Sequence, residues 1–270
     1  GGTRPMKDFE GRRALVTGGG TGLGRSMAVK LAERGAEVIV NYSRSAAEAE
    51  ETVALCRAAG AEARAVKADV STAEGAAALA EAVGPRLDVL AANAGITRHA
   101  PHDDLDALTA GDFLDIYSVN VVGPYLCLQA LKPALEASFK ETGRPAAVLM
   151  TSSIAGVTGM GSSVAYAASK GALNTMTLSL ARALAPAMRV NAVCPGFIGT
   201  RWFKDRLDEG AYAEMVERVE RTTPLKAASG PDDIGDAALF LLSDAARHVT
   251  GETLLVDAGA HLGFATYALR

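Results

Sequence analysis

The chain has 270 residues, of which 49% are hydrophobic, and its formal net charge is −4. A mildly acidic chain without a Lys/Arg-dense block argues against nucleic acid as a partner. No uninterrupted apolar stretch reaches the length that spans a bilayer, so no membrane partner is expected. The length fits one α/β domain, which we predict over 11–270. Residues 1–10 are interpreted as an N-terminal extension, and those before Met6 are typical of an expression remnant.

Short β-branched runs alternate with longer Ala/Leu/Glu-rich runs along the chain. The predicted strands cover 13–17, 37–42, 62–68, 89–92, 147–151, 189–192 and 253–257. The predicted helices cover 22–34, 46–59, 72–83, 112–137, 166–185 and 234–242. This alternation predicts an α/β fold, a single doubly wound Rossmann-type domain with a parallel sheet and helices on both faces.

The carboxyl ends of the predicted strands are where such sheets bind ligands. Thr17, Asn93, Ser153 and Pro195 all fall at those ends. A charged segment at 201–223 interrupts the alternation, and we interpret it as part of a mobile flap (residues 198–224) over the ligand site. A plain surface helix is the alternative.

The cysteines and histidines show no metal-binding pattern. Cys56, Cys127 and Cys194 are far apart and odd in number, which fits neither zinc spacing nor a disulfide framework. His99 and His102 are interpreted as ordinary loop residues, although they could line a substrate mouth. We therefore expect no metal, reduced thiols and a cytoplasmic location.

A glycine-rich turn, Thr-Gly-Gly-Gly-Thr-Gly-Leu-Gly at 17–24, lies between the first strand and the first helix. Glycines allow close backbone approach, and the free N–H groups of a helix N-terminus favour a pyrophosphate. The spacing is T-G-x-x-x-G-x-G, because Leu23 occupies the third glycine position of the common G-x-G-x-x-G pattern. The residues expected at the pyrophosphate are Gly18, Thr21, Gly22, Leu23 and Gly24.

About twenty residues further on, a carboxylate would select NAD by binding the adenosine 2′-hydroxyl. Asn41 stands there instead, followed closely by Ser43 and Arg44. No carboxylate repels a 2′-phosphate, and Ser43 and Arg44 can bind one. The sequence therefore favours NADP over NAD, although Arg44 could also be a solvated loop residue.

Tyr166 and Lys170 are one helical turn apart and lie on the same helix face, while Ser153 follows the strand before them. Lowering a phenol from its usual pKa of about 10 to neutrality requires roughly 4 kcal/mol. A cation about 4 Å away supplies about that much at an effective dielectric of ~20. We therefore predict that Tyr166 exchanges a proton with a substrate oxygen near pH 7, and that Ser153 orients that oxygen.

Together these residues resemble the short-chain dehydrogenase/reductase family, of the type of the 3-oxoacyl-acyl-carrier-protein reductases. The resemblance runs from about residue 11 to 263. It rests on the order and spacing of Thr17 to Gly24, Asp69-Val70, Ala92 to Gly95, Asn120, Ser153, Tyr166, Lys170, Asn191, Pro195-Gly196, Thr200 and Thr250-Gly251.

The resemblance implies a set of roles. Asp69 and Val70 would contact the adenine, and Asn93, Ala94 and Gly95 would run beside the cofactor. Pro195, Gly196, Ile198 and Thr200 would hold the nicotinamide end. Lys170 would bond the nicotinamide ribose, Asn120 would keep a water in a proton relay to Lys170, and Tyr166 would protonate the alkoxide. The family is usually tetrameric, built partly on the helices predicted at 112–137 and 166–185, so we expect a homotetramer or dimer.

Three departures from the family pattern occur. Ala92 replaces the first asparagine of Asn-Asn-Ala-Gly, and Ala258 replaces a glycine of Asp-Gly-Gly, where it is expected to perturb a turn. The segment at 185–189 is about one residue shorter than usual.

The leading hypothesis is an NADP-dependent ketone reductase or secondary-alcohol dehydrogenase that acts on a small-molecule carbonyl, including one bound to an acyl carrier. The alternatives are an NAD-linked sugar or polyol dehydrogenase and a non-catalytic cofactor-binding sensor or scaffold. Arg98, Arg201, Lys204 and Arg206 could attract an acyl carrier, or could be plain surface charges.

Overall fold

A computed structural model describes residues 7–200 and 207–263. Seven parallel strands form one sheet: β1 (Arg13–Val16), β2 (Glu37–Tyr42), β3 (Ala63–Lys67), β4 (Val89–Ala92), β5 (Ala146–Thr151), β6 (Met188–Pro195) and β7 (Thr253–Val256). Their order is β3-β2-β1-β4-β5-β6-β7, so the chain winds outward from β1 in one direction and then from β4 in the other. The predicted doubly wound α/β fold is confirmed, with strand bounds that agree to within three residues.

Helices cover both faces of the sheet. They are α1 (Gly22–Glu33), α2 (Ala46–Ala58), α3 (Ala73–Val83), α4 (Ala110–Tyr117), α5 (Gly123–Thr142), α6 (Ala155–Thr158), α7 (Val164–Leu184), α8 (Glu209–Thr222) and α9 (Pro231–Leu242). One core contains side chains of α1, α2 and α9, and the other contains side chains of α3, α5 and α7. Alternate strand residues point to each core, which explains the nearly continuous apolar runs. No helix in the described residues is long and apolar enough to cross a membrane.

The helix predicted at 112–137 is in fact interrupted. A π-helical turn, Ser118–Val122, separates α4 from α5. Pro124 lacks the N–H that would donate to the Asn120 carbonyl four residues earlier, so the regular helical hydrogen bonding cannot continue through this point. The interruption places Asn120 in the irregular turn, and such turns often occur at functional sites.

The flap (residues 198–224) lies partly outside the described residues, since 201–206 are not described. Its described part contains α8, in which no residue is buried. The start of the flap is bonded to the segment that follows it, because the Gly199 N–H donates to the Ser229 carbonyl at 2.9 Å.

Candidate active site

Two adjoining clefts open at the carboxyl edge of the sheet, with volumes of about 970 and 1020 Å³. They share Leu23, Asn93, Gly95, Ile96 and Thr200, so they form one continuous groove. Its first part contains the glycine loop and the residues predicted to select the adenosine, and its second part contains Ser153, Tyr166 and Lys170. Of the predicted site residues, all except Gly24 and Asn120 line this groove.

The glycine loop is shaped for close approach. Gly18 has φ +59°, and a Cβ on it would lie 2.9 Å from the Cα of Ala94. A Cβ on Gly24 would lie 2.2 Å from the Gly18 carbonyl oxygen and 2.6 Å from Nδ2 of Asn93. Gly24 therefore packs behind the loop and is not part of the groove wall. The loop and the N-terminus of α1 fit a pyrophosphate.

Thr17 and Asn93 connect the ends of the central strands. The Thr17 hydroxyl oxygen accepts hydrogen bonds from the backbone N–H groups of Asn93 and Ala94, at 2.9 and 3.0 Å. The Asn93 side chain donates to the Gly18 carbonyl and accepts from the Thr151 hydroxyl. The loops that follow β1, β4 and β5 are thereby held at fixed separations.

At the adenosine end, the Asn41 side chain has a structural role. It is buried, accepts from Gly18 N–H at 3.3 Å, and donates from Nδ2 to the carbonyls of Ala68, Val66 and Tyr42. The amide is therefore committed to the backbone, although Asn41 lines the groove as predicted. Ser43 and Arg44 are exposed at the same end.

Asp69 faces this end of the groove, and Val70 lies beside it. Hydrogen bonds from the Ser71 hydroxyl and N–H hold the pKa of Asp69 below its ordinary value, and the charge of Arg44 acts in the same direction.

Ser153 and Tyr166 converge from separate elements. Ser153 follows β5, and its hydroxyl accepts from the Ala155 N–H at 3.0 Å. Tyr166 stands in the first turn of α7, where the Ser163 hydroxyl caps the helix by accepting from the Tyr166 N–H at 3.1 Å. A hydrogen bond between the Tyr166 and Ser153 side chains favours the ionised phenol, but burial outweighs it and raises the pKa of Tyr166.

The expectation that Lys170 lowers the pKa of Tyr166 is therefore wrong for this structure. The Lys170 Nζ donates to the Thr151 carbonyl at 2.8 Å and lies 5.6 Å from the centre of the Tyr166 ring. Burial also lowers the pKa of Lys170, to about 8. The sequence argument assumed a solvated ammonium beside the phenol oxygen, whereas both side chains are buried and desolvation disfavours both charged forms.

Asn120 lies behind the groove. Its side chain accepts from the Ile96 N–H and donates to the Ile96 carbonyl and the Ser169 hydroxyl, at 2.8, 2.9 and 3.1 Å. A Cβ on Gly95 would lie 3.3 Å from the Asn120 Oδ1 and 3.6 Å from the Lys170 Nζ, which places both groups beneath Gly95.

Several groove residues were not identified from the sequence. Glu48, Asp115, Ser118 and Val119 line the first part, and Ser152 and Phe197 line the second part. Glu48 lies in the first turn of α2, Asp115 in α4, and Ser118 and Val119 in the π-helical turn. Ser152 and Phe197 belong to loops without a distinguishing pattern.

Three hydrogen bonds, which we call the wall seam, join the loop after β4 to the loop before α7. The Thr97 and Ser162 hydroxyls bond to each other, the Ala100 N–H donates to the Ser162 carbonyl, and the His102 ring contacts the Gly161 carbonyl at 3.0 Å. His99 lines the groove beside this seam. The polar groups of the seam are thus bonded within the protein.

Of the four basic residues considered at the mouth, only Arg98 lies in the described residues. It forms an ion pair with Asp112, whose carboxylate also caps α4 through Thr109. Arg201, Lys204 and Arg206 lie outside the described residues. Within 7–200 and 207–263, no group of three His, Cys, Asp or Glu side chains is placed to hold a metal ion.

Comparison with known proteins gives consistent results. A family model described as enoyl-(acyl carrier protein) reductase, of the short-chain alcohol dehydrogenase type, matches residues 18–261. The chain is 41% identical over 252 residues to a protein named for a ketoacyl reductase of the granaticin polyketide synthase of Streptomyces violaceoruber, covering 92% of this chain and 96% of that protein. It is 36% identical over 262 residues to an L-rhamnose 1-dehydrogenase (NAD(P)(+)) of a Sphingomonas species, covering 95% and 99%.

Among solved structures, the Pseudomonas aeruginosa RhlG/NADP active-site complex superposes with a TM-score of 0.85 at 32% identity. The match covers 96% of this chain and 100% of that one.

Proposed function

This chain belongs to the short-chain dehydrogenase/reductase family of NAD(P)-dependent oxidoreductases, and we propose that it is an NADPH-dependent ketone reductase. The observation that carries the proposal is the convergence of Ser153, Tyr166 and Lys170 on a groove that continues to the glycine loop. A bound nicotinamide cofactor would supply the hydride. The loop glycines, the N-terminus of α1 and Asn93 to Gly95 would hold it.

Tyr166 is the proposed proton donor to the carbonyl oxygen. Its raised pKa keeps the phenol protonated at neutral pH, and a donor in a reduction must start in that form. Ser153 would hold the same oxygen through its hydroxyl. The buried Lys170, whose Nζ lies 5.6 Å from the centre of the Tyr166 ring, would bond the ribose of the cofactor.

Asn120 is the proposed link in a proton relay to Lys170. Both N–H donors of its amide are already used, and Pro124 cannot donate to its backbone carbonyl. We therefore assign a relay water to the Asn120 backbone carbonyl. The side chain would fix the position of that carbonyl by bonding to Ile96 and Ser169.

NADP is the proposed cofactor in preference to NAD. Ser43 and Arg44 are exposed at the adenosine end of the groove, where a 2′-phosphate would lie. Because Asn41 stands in place of a carboxylate, no negative charge at this position would repel the phosphate. The Asn41 amide itself does not bind the phosphate, since it is bonded to the backbone.

Replacing Arg44 with alanine tests this preference. A charge-assisted hydrogen bond to phosphate contributes about 1.5–3 kcal/mol, so we expect kcat/KM for NADPH to fall at least about tenfold while that for NADH changes little. Lys140→Ala, which removes an exposed positive charge from α5, controls for net charge. An NADPH preference that survives in Arg44→Ala would remove Arg44 from the cofactor assignment.

The substrate is proposed to be a ketone with an apolar body, of the 3-oxoacyl-thioester type. Ile96, Ala100, Pro101, Ile154 and Phe197 line the part of the groove beside Tyr166, and the seam hydroxyls bond each other. A polyol would find few polar partners on this wall, and unpaired buried hydroxyls are costly. An acyl-carrier-bound substrate has less support, because Arg98 is paired with Asp112.

A carbonyl screen with purified protein and NADPH tests the activity. Acetoacetyl-CoA, trans-1-decalone and, with NAD⁺ in the oxidative direction, L-rhamnose represent the proposed classes and the sugar alternative. We expect ketone reduction by the wild type and a loss of at least about 100-fold in Tyr166→Phe, which keeps the ring and removes the donated proton. Preferential oxidation of L-rhamnose would favour the sugar dehydrogenase. Cofactor binding without turnover of any carbonyl would favour a sensor or scaffold.

We also propose that residues 11–270 act as one catalytic domain in the cytoplasm, as a homotetramer or dimer. Cys56, Cys127 and Cys194 are buried free thiols, which suits a reducing compartment. The flap (residues 198–224) is proposed to cover the substrate.

A further inference from the structure

We propose that Ser152 is a positioning residue that sets the place of α7, and hence of Lys170 and Tyr166, against the end of β5. The proposal rests on the function proposed above, since it assigns Ser152 an effect through Lys170 and Tyr166. Ser152 lies between the end of β5 and Ser153, is only 3% exposed, and is fixed to the neighbouring strand by donating its N–H to the Val193 carbonyl at 2.8 Å.

The Ser152 hydroxyl bonds to the main chain of α7. It donates to the Lys170 carbonyl at 3.2 Å, while the Nζ of the same lysine donates to the Thr151 carbonyl at 2.8 Å. Lys170 is thus attached to two consecutive residues at the end of β5, by its side chain to Thr151 and by its backbone to Ser152. A hydroxyl bonded to a helix carbonyl in this way fixes the helix and not only a side chain.

Gly156 contacts the same carbonyl. A Cβ on Gly156 would lie 2.6 Å from the carbonyl carbon of Lys170 and 2.7 Å from its oxygen. The loop that begins at Ser152 therefore returns through α6 to touch α7 at this residue. The Lys170 carbonyl is held between a hydrogen bond and a close packing contact, and both come from the segment that contains Ser153.

The position of α7 affects the distance between the Ser153 and Tyr166 hydroxyls, which are both proposed to contact the carbonyl oxygen of the substrate. Ser153 is adjacent to Ser152, and Tyr166 is one helical turn before Lys170. A small shift of α7 relative to β5 would change the spacing of Ser153, Tyr166 and Lys170 together. Misplacement of reacting groups by about 1 Å can cost about 100-fold in rate. Ser152 also lines the groove, so a direct contact with a bound ligand is the competing explanation.

The test compares Ser152→Ala with Ser138→Ala. Ser138 lies on α5, away from the groove. It is a matched control, because it is equally buried and its hydroxyl donates a hydrogen bond to Asp88. For the ketone reduced fastest in the screen, we expect Ser152→Ala to lower the single-turnover rate of hydride transfer about tenfold, with KM for ketone and NADPH within about twofold of wild type. Ser138→Ala is expected to keep the wild-type rate.

Equal rates in the two alanine variants would overturn the proposal. A raised KM with an unchanged rate in Ser152→Ala would also overturn it, since Ser152 would then bind a ligand directly. If Ser152→Ala does not fold, Ser152→Cys and Ser138→Cys replace the pair, because a thiol is a weaker donor of similar size. The rate is then expected to fall only in Ser152→Cys, and equal rates would again overturn the proposal. Tyr166→Phe distinguishes a failure of the Ser152 proposal from a failure of the proposed function, because full activity in that variant would refute the proposed function itself.

Discussion

At the scale of single residues, burial shifts the pKa values of Lys170 and Tyr166 and so decides which protonation state each favours. Lys170 has its pKa lowered to about 8, and the pKa of Tyr166 is raised, because the interior disfavours both charged forms. Near neutral pH the ammonium is still protonated and the phenol keeps its proton. This is the protonation state from which the proposed reduction would start.

The first prediction concerns pH. As pH rises through about 8, Lys170 loses its charge while Tyr166 stays protonated, so we expect the rate of ketone reduction to decline above that pH. The measurement is kcat with saturating NADPH between pH 6 and 10. A rate that holds constant up to pH 10 would show that the charge of Lys170 does not contribute.

Residue types and spacing were sufficient to predict that Ser153, Tyr166 and Lys170 come together at one groove, but not its electrostatics. Ser153, Tyr166 and Lys170 follow a pattern that a sequence displays directly. The burial of Lys170 depends on how α7 packs against the end of β5. The commitment of the Asn41 amide to four backbone groups depends on how β2, β3 and the glycine loop pack. Spacing along the chain does not report such packing.

At the scale of elements, the turn after β7 contains a strained residue. Ala258 has φ +54°, in the left-handed region, at the position where the family pattern has glycine. Its carbonyl accepts from the Leu225 N–H at 3.1 Å, and a Cβ on Gly259 would lie 2.9 Å from the Pro224 ring. The turn is held by its neighbours, so the alanine cannot relax to an ordinary conformation. The perturbation expected from the sequence thus takes the form of backbone strain.

Ala258→Gly is therefore expected to raise the free energy of unfolding by about 0.5–1 kcal/mol, because relief of the left-handed strain exceeds the entropy that glycine adds to the unfolded chain. Urea unfolding followed by circular dichroism measures the change. Ala260→Gly, two residues away and outside the left-handed region, is the control and should lower stability by a similar amount. A lower stability for both variants would contradict the assignment of strain.

The five inner strands were predictable because each is buried on both faces and reads as a short apolar run, as in Val89–Ala92. No break was predicted between α4 and α5, although the predicted range 112–137 contains Pro124. Its effect depends on which carbonyl four residues earlier loses a donor, and that carbonyl belongs to Asn120.

At the scale of the whole molecule, α4 and the start of α5 expose several large apolar side chains. Phe113, Leu114 and Tyr117 of α4 and Tyr125 of α5 are exposed, with Leu114 at 70%. Clusters of exposed apolar side chains commonly mark protein–protein contacts. They lie in the region predicted at 112–137, from which the resemblance implied subunit association.

We therefore expect light scattering to give a mass that is two or four times the chain's 27.8 kDa. Leu114→Glu should reduce this mass, since it places a charge in the proposed interface. The matched control is Leu55→Glu on α2, where an exposed leucine lies on the opposite face of the sheet. A monomeric wild type, or an equal effect of the two variants, would refute assembly through this face.

The wall seam has a consequence for altering selectivity. Hydrogen bonds of Thr97, Ala100 and His102 join the loop after β4 to the loop before α7. This wall of the groove cannot move to admit a larger substrate without breaking several of these bonds. Phe197 and Ile198 line the same part of the groove, are not members of the wall seam and stand where the flap (residues 198–224) begins. Directed-evolution libraries aimed at larger ketones should therefore begin at these two positions and leave the seam intact.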